Sequence, residues 1–249
     1  NGPETEIFDK GRNLYNHALA REAAGKGKPL IVAEGYMDVI ALCEAGFTAA
    51  VAPLGTAVTE DQLRLMWRIH DEPIIALDGD AAGIRAALRV VDLALPLLEA
   101  GKGLRFAVLP GGMDPDDLIK RDGARAMEAL LAKPQSLLDL LWEHEREAVP
   151  LDSPEDKAGL KARLMAHVET IADPEIKALY RRELSDRFSA FAYPPRAPRP
   201  AYTPPQRGQK GSWRGAPMPP SSTVRAWSER NCRTKSPATA SPPGRKPSW

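Results

Sequence analysis

Two aspartates one glycine apart, Asp78-Gly79-Asp80, follow the apolar run Ile74-Ile75-Ala76-Leu77. Such a run belongs in a protein interior, where unpaired carboxylates are costly. Residues i and i+2 of an extended segment point to the same side, so Asp78 and Asp80 can converge. A second apolar run, residues 29–33 (PLIVA), ends in Glu34-Gly35, and Asp38 follows four residues after Glu34. If the two runs are neighbouring strands, three or four carboxylates meet in one crevice. Like charges that close cannot all stay ionised without a counter-charge. Mg2+ suits the role, because it takes oxygen ligands through one or two carboxylates plus waters and phosphates. Two such ions ~3.5–4 Å apart clamp the attacking and leaving oxygens of phosphoryl transfer.

Plainer readings stay open for each residue. Asp80 precedes AAGIRAAL and also reads as a helix cap, Glu34-Gly35 as a surface turn, and Asp38 as a first-turn acid favoured by the helix dipole. Asp114-Pro115-Asp116-Asp117 has the form of the helix starts Ser153-Pro154-Glu155 and Asp173-Pro174-Glu175, so capping accounts for Asp114. Three acids in four residues exceed that need, which leaves a second cation or a role in placing the metals open. Capping does not explain why acids end two separate apolar runs, each beside a glycine where the backbone turns or approaches something closely.

The elements that must hold these side chains follow from periodicity and punctuation. Residues 29–33, 48–52 (TAAVA), 73–77 and 104–109 (LRFAVL) read as strands. Helical spacing covers 37–45, ended by Gly46, and a capping box at Thr59-Glu60-Asp61-Gln62 opens a helix through about 69. A long helix is expected over 81–100, with Pro96 as a kink or break. The order β-α-β-α-β-α-β predicts an α/β domain with a largely parallel sheet, and functional groups gather beyond the carboxyl ends of such strands. After Gly112 only helices are expected, over 118–120, 125–131, 137–147, 155–171 and 175–188. The organisation read from the chain is a leading segment 1–27, an α/β domain 28–112, a helical subdomain 113–188 and a tail 189–249.

Composition separates body from tail. The formal net charge of +1 averages 23 basic and 32 acidic residues in 1–188 with eleven Lys/Arg and one acid in 189–249. Thirteen of the 24 prolines lie in those last 61 residues, a composition that predicts a disordered tail. Its Tyr202, Trp213 and Trp227 among cations leave non-specific nucleic-acid contact open beside a plain linker. Cys43 and Cys232 give neither a disulfide framework nor zinc-ligand spacing, and Cys43 is expected to be a buried free thiol. No run reaches the ~18 apolar residues of a membrane span, and no secretory leader opens the chain. The first residue is not Met, and the opening reads as cut from a longer protein; a cytoplasmic location is expected.

EGYMDV (34–39), APLGTA (52–57), ALDGDAAG (76–83) and LPGGMDPDDLI (109–119) occur in the order found in bacterial DNA primases of the DnaG type, which this chain resembles over about 1–188. The Asp-x-Asp pair and the glutamate resemble the Toprim domain shared by those primases, topoisomerases and some nucleases. The resemblance implies a Toprim fold in 28–112, a remnant of the N-terminal part of the catalytic core in 1–27, and nucleotidyl transfer that builds short RNA primers. It implies Glu34, Asp38, Asp78 and Asp80 as catalytic residues, and Glu34, Asp78, Asp80, Asp114 and Asp116 as ligands of Mg2+ or Mn2+. Lys10, Arg12, Thr56 and Arg85 would contact nucleotide or template; a solvated lysine, a plain loop residue and a solvated helix residue are the alternatives for Lys10, Thr56 and Arg85. Implied partners are single-stranded DNA, ribonucleoside triphosphates and a replicative helicase, reached through a domain not expected in this chain. Zinc is implied only for an N-terminal module that two cysteines cannot build. The location implied is the replisome. Another Toprim enzyme (a nuclease or phage-type primase-helicase) and a non-catalytic nucleic-acid- or helicase-binding fragment remain the rival readings.

Overall fold

The structure, a computed structural model, describes residues 9–55 and 57–193. Thr56 and the tail from residue 194 onward lie outside the described residues, and with them the expectations placed on Thr56, Cys232 and the basic tail.

Six strands form one sheet: β1 (Leu14–Tyr15), β2 (Ile31–Val32), β3 (Ala50–Pro53), β4 (Ile74–Leu77), β5 (Arg105–Val108) and β6 (Gln135–Ser136). Their order is β1-β3-β2-β4-β5-β6. The inner four are parallel, with Ile31 beside Ala50 and Ile74, and Ile74 beside Arg105. The two edges are antiparallel additions, β1 on β3 and β6 on β5. The four inner strands match the sequence reading. The expectation of no strand after Gly112 does not hold, because β6 covers the open edge of β5. Two residues are too few for any periodicity to register.

Strand alternation builds a core on each face of the sheet. Leu30, Val32, Val51, Ile75, Leu77 and Phe106 enter one core. It is shared with α3 (Glu60–Ile69), α4 (Ala81–Ala94), α7 (Leu137–Glu147), α8 (Pro154–Thr170) and α9 (Pro174–Ala192). The intervening Ile31, Ala33, Ala50, Ala52 and Ala76 enter the other. The small side chains on that face admit α2 (Tyr36–Glu44), α5 (Pro115–Asp122) and α6 (Ala124–Leu131). A further helix, α1 (His17–Gly25), which the sequence reading did not assign, buries Ala20 and Ala23.

Helix starts carry the expected caps. Thr59 and Gln62 exchange side-chain and backbone hydrogen bonds at 3.2 and 3.0 Å. Ser153 and Asp173 cap α8 and α9, each ahead of Pro at the first helical position. The helix expected over 81–100 ends at Ala94, and Leu95–Leu97 forms a 3-10 turn, because Pro96 has no N–H to continue the ladder. At the other end, α9 runs through Ala192, so residues 189–192 are helical rather than part of the tail. Cys43 is half-buried, with Asn16 Nδ2 donating to its Sγ at 3.6 Å.

Candidate functional site: a carboxylate crevice at the strand ends

Glu34 follows β2 and Asp78 follows β4, and these strands are hydrogen-bonded neighbours. Their parallel register carries both acids to the same edge of the sheet. Asp80 is the N-cap of α4, its Oδ1 accepting from the N–H groups of Ala82 and Gly83 at 2.8 and 2.7 Å. The cap reading therefore holds for Asp80, but both bonds use one oxygen, and Oδ2 takes neither. Asp38 lies in the first turn of α2, buried at 9 % exposure, where it accepts from the Gly35 N–H at 3.0 Å. Asp114 caps α5 through Oδ1, accepting from the Asp117 N–H at 2.7 Å.

Glycines make the convergence sterically possible. A Cβ on Gly79 would stand 1.8 Å from the Leu109 carbonyl oxygen, and one on Gly83 would stand 2.2 Å from the Asp78 carbonyl oxygen. The turn after β4 is thus pressed against the exit from β5, where Gly111 and Gly112 adopt φ of 70° and 72°. That contact delivers the Asp114–Asp117 segment to the side of Asp78.

The electrostatics record the crowding. Burial, then Glu34, Asp114, Asp80 and Asp117, push the Asp78 carboxyl up to about 6. Burial raises Asp38 to about 6 as well, with Asp114, Asp78 and Asp116 adding to it against the opposing Gly35 hydrogen bond. Glu34 is raised by burial, then by Asp80 and Asp38. Among the described residues, Asp78 Oδ1 is the one buried side-chain oxygen or nitrogen without a hydrogen-bond partner. A buried carboxylate oxygen without a hydrogen-bond partner, crowded by other carboxylates, is a position that a cation would satisfy.

The donor set, all oxygen, fits a hard divalent ion. No group of three or more His, Cys, Asp and Glu side chains among the described residues is drawn together as a ready ligand set. The five residues expected from the sequence as ligands are therefore not drawn together as a ready metal site among the described residues. Asp116 already has a counter-charge, Lys120 Nζ at 2.5 Å, which leaves it the weakest candidate.

The expected basic residues are not gathered at the crevice in the same way. The 3-10 turn Lys10–Arg12 is tied to α3: Gln62, fully buried, donates through Nε2 to the carbonyls of Lys10, Asn13 and Leu54 at 2.9, 2.9 and 3.2 Å. Arg12 Nε meets Asp61 Oδ2 at 2.9 Å, so its charge is drawn to α3. Arg85 is exposed on α4. The cation that lowers the proton affinity of Glu34 is Arg89, one turn further along. It lines a cleft of about 100 Å³ with Glu34, Pro53, Gly55, Ala57, Val58, Ala86 and Val90. Sequence reasoning missed Arg89, for which the i+4 step from Arg85 was the available signal; it named Asp117 within the acidic group 114–117 and Gln62 only as part of a capping box.

The family model described as Toprim domain matches residues 28–108, and that described as DnaB-helicase binding domain of primase matches residues 141–191. The second match corrects the expectation that a helicase-binding segment is not part of this chain: it falls on α7, α8 and α9. A DNA primase of Rickettsia felis is 43% identical over 188 residues, covering 76% of this chain and 32% of the relative. A solved structure titled as the DnaG catalytic core superposes with a TM-score of 0.69 at 37% identity, covering 75% of this chain and 60% of that one. Another, the DnaG primase catalytic domain bound to ssDNA, gives 0.68 at 37% identity, covering 74% and 59%. The chain thus spans about a third of the length of the curated relatives it matches.

Proposed function

Because the chain belongs to the bacterial DnaG-type primase family, we propose that its carboxylate crevice performs metal-dependent nucleotidyl transfer, building RNA primers on single-stranded DNA from ribonucleoside triphosphates. The observation that carries this reading is the unpartnered Asp78 Oδ1 among mutually repelling carboxylates at the sheet's carboxyl edge. In the reaction a 3′-hydroxyl oxygen bonds to the α-phosphorus of the incoming nucleotide, and pyrophosphate leaves.

Asp78, Glu34 and the free oxygen of Asp80 would hold Mg2+ or Mn2+, with Asp114 beside them and Asp116 contributing field. When bound, the cation supplies charge neutralisation for the triphosphate and for the attacking oxygen. Asp38 fixes the entrance of α2 through Gly35 and adds negative field behind Asp78. Arg89 and Arg85, on one face of α4, are placed to meet triphosphate oxygens, whereas Lys10 and Arg12 would meet template from the α3 side. Residues 141–191 would dock a replicative helicase, and action at the replisome places the protein in the cytoplasm. No helix among the described residues is long and apolar enough to cross a membrane.

The test uses the full chain, a single-stranded template, ribonucleotides and Mg2+ or Mn2+. Asp78→Ala is expected to lower incorporation by about a hundredfold while leaving binding to a replicative helicase unchanged. Metal-dependent DNA cleavage without incorporation would reassign the crevice to a nuclease. Neither activity, with oligonucleotide binding retained, would make this a non-catalytic binding segment.

A further inference from the structure

Four large apolar side chains face solvent on one flank of the crevice. On α2 these are Tyr36, Met37 and Ile40, at 59%, 57% and 38% exposure, and on β1 Tyr15, at 36%. The i, i+1, i+4 spacing sets the three α2 residues on one helix face, away from the buried Asp38, Val39 and Leu42. Leu14 enters the core, so strand alternation turns Tyr15 to the α2 side. There its ring lies 6.0 Å from that of Tyr36, tilted by 59°. Nothing in the packing of α2 requires a contiguous apolar patch in water, and such patches mark contact sites.

Position and charge favour one occupant. Tyr36 sits between Glu34 and Asp38 in sequence, at the N-terminus of α2, on the rim of the crevice. Wherever a cation does not screen them, the neighbouring carboxylates repel phosphates, so the nucleic-acid group that can lie against this rim at least electrostatic cost is the uncharged base. Aromatic rings bind bases through their faces and tolerate any sequence. Tyr15 makes a tilted ring contact with Tyr36, while Met37 and Ile40 extend the apolar surface.

We propose that Tyr36, in ring contact with Tyr15, is a stacking platform for a nucleobase of the strand or nucleotide engaged at the carboxylate crevice. The platform rests on the nucleotidyl-transfer reading of that crevice and adds to it a contact with the base.

The experiment measures fluorescence anisotropy of the full chain with a short labelled oligothymidylate and with an abasic strand of the same length, without nucleotides. The intact strand is expected to bind about tenfold more tightly than the abasic one. Tyr36→Ala should erase that difference with an unchanged melting temperature. Tyr36→Phe should keep it, as should Leu19→Ala, which alters an exposed apolar residue on α1. Equal affinity of the wild-type chain for the two strands, or binding of neither, overturns the platform, and with equal affinity the patch becomes a protein contact. A Tyr36→Ala variant that retains the difference also overturns it. The incorporation assay decides the primase reading separately. A base-dependent difference at Tyr36 without incorporation leaves the platform standing and removes the primase; incorporation with no such difference does the reverse.

Discussion

Asp78 and Asp38 hold their protons to about pH 6, whereas an unfolded aspartate releases its proton near 3.8. The folded state thus retains protons that the unfolded chain has lost, and stability from this source is complete below about pH 4 and lost as pH rises through about 6. In metal-free protein at pH 7.5, both ionised groups act against the fold. Water reaches the crevice, so the cost at Asp78 is discounted to about 1 kcal/mol. Asp78→Asn is expected to raise the melting temperature of chelator-treated protein at pH 7.5 and to have no such effect at pH 4. Mg2+ should raise the wild-type melting temperature at pH 7.5 more than at pH 5, and should lose this effect in the variant. Taking the difference between variant and wild type removes the opposite slope of acids such as Glu145. An Asp78→Asn protein that melts lower at pH 7.5 would show that Asp78 is satisfied within the fold. The pair Asp78/Asp80 was legible because residue type, spacing and the preceding apolar run coincide. Arg89 was not, since which turn of a helix faces a crevice depends on how that helix is rotated against its sheet.

At the scale of elements, the crevice depends on two turns touching without side chains between them. Gly79→Ala would place a methyl carbon 1.8 Å from the Leu109 carbonyl oxygen, backbone that cannot yield without separating β4 from the exit of β5. The expected cost is about 2 kcal/mol or more, together with loss of incorporation. Gly25→Ala, at the end of α1 with nothing within 4 Å, should be neutral or slightly stabilising. Equal urea midpoints for the two variants would refute the close approach. The inner strands were readable because each is a short apolar run closed by turn residues. The edge strands β1 and β6 escaped notice because pairing, and not composition, makes Leu14–Tyr15 and Gln135–Ser136 strands. Pro96 marked a break in the long helix, but only the structure fixes its end at Ala94.

Across the whole molecule, a charge network centred on the buried Glu145 reaches from α7 and α8, in the segment matched by the helicase-binding model, to the exposed Asp92 on α4, the helix that Asp80 caps. Glu145 on α7 is 7% exposed and receives Arg163 Nε at 2.6 Å, while its own carbonyl accepts from Arg163 Nη2 at 2.9 Å. His167 of α8 places Nε2 3.0 Å from Glu145 and Nδ1 3.4 Å from Asp92, which lies on α4. Burial alone would raise Glu145, but Arg163 and His167 outweigh it and hold the carboxyl below its usual range. Removing the arginine leaves a buried carboxylate without its main partner. Arg163→Ala is therefore expected to cost about 3 kcal/mol, read as a lower urea midpoint. Glu145→Leu combined with Arg163→Met should recover most of that loss, because an apolar pair of similar volume leaves no charge to desolvate. A loss below about 0.5 kcal/mol for Arg163→Ala would place the pair among solvent-screened surface bridges and remove it as a strong tie between α7 and α8. Sequence reasoning could supply the helices of this region but not the link. Glu145, Arg163, His167 and Asp92 come from three helices, and nothing in their local patterns distinguishes them from solvated charges until the helices are packed.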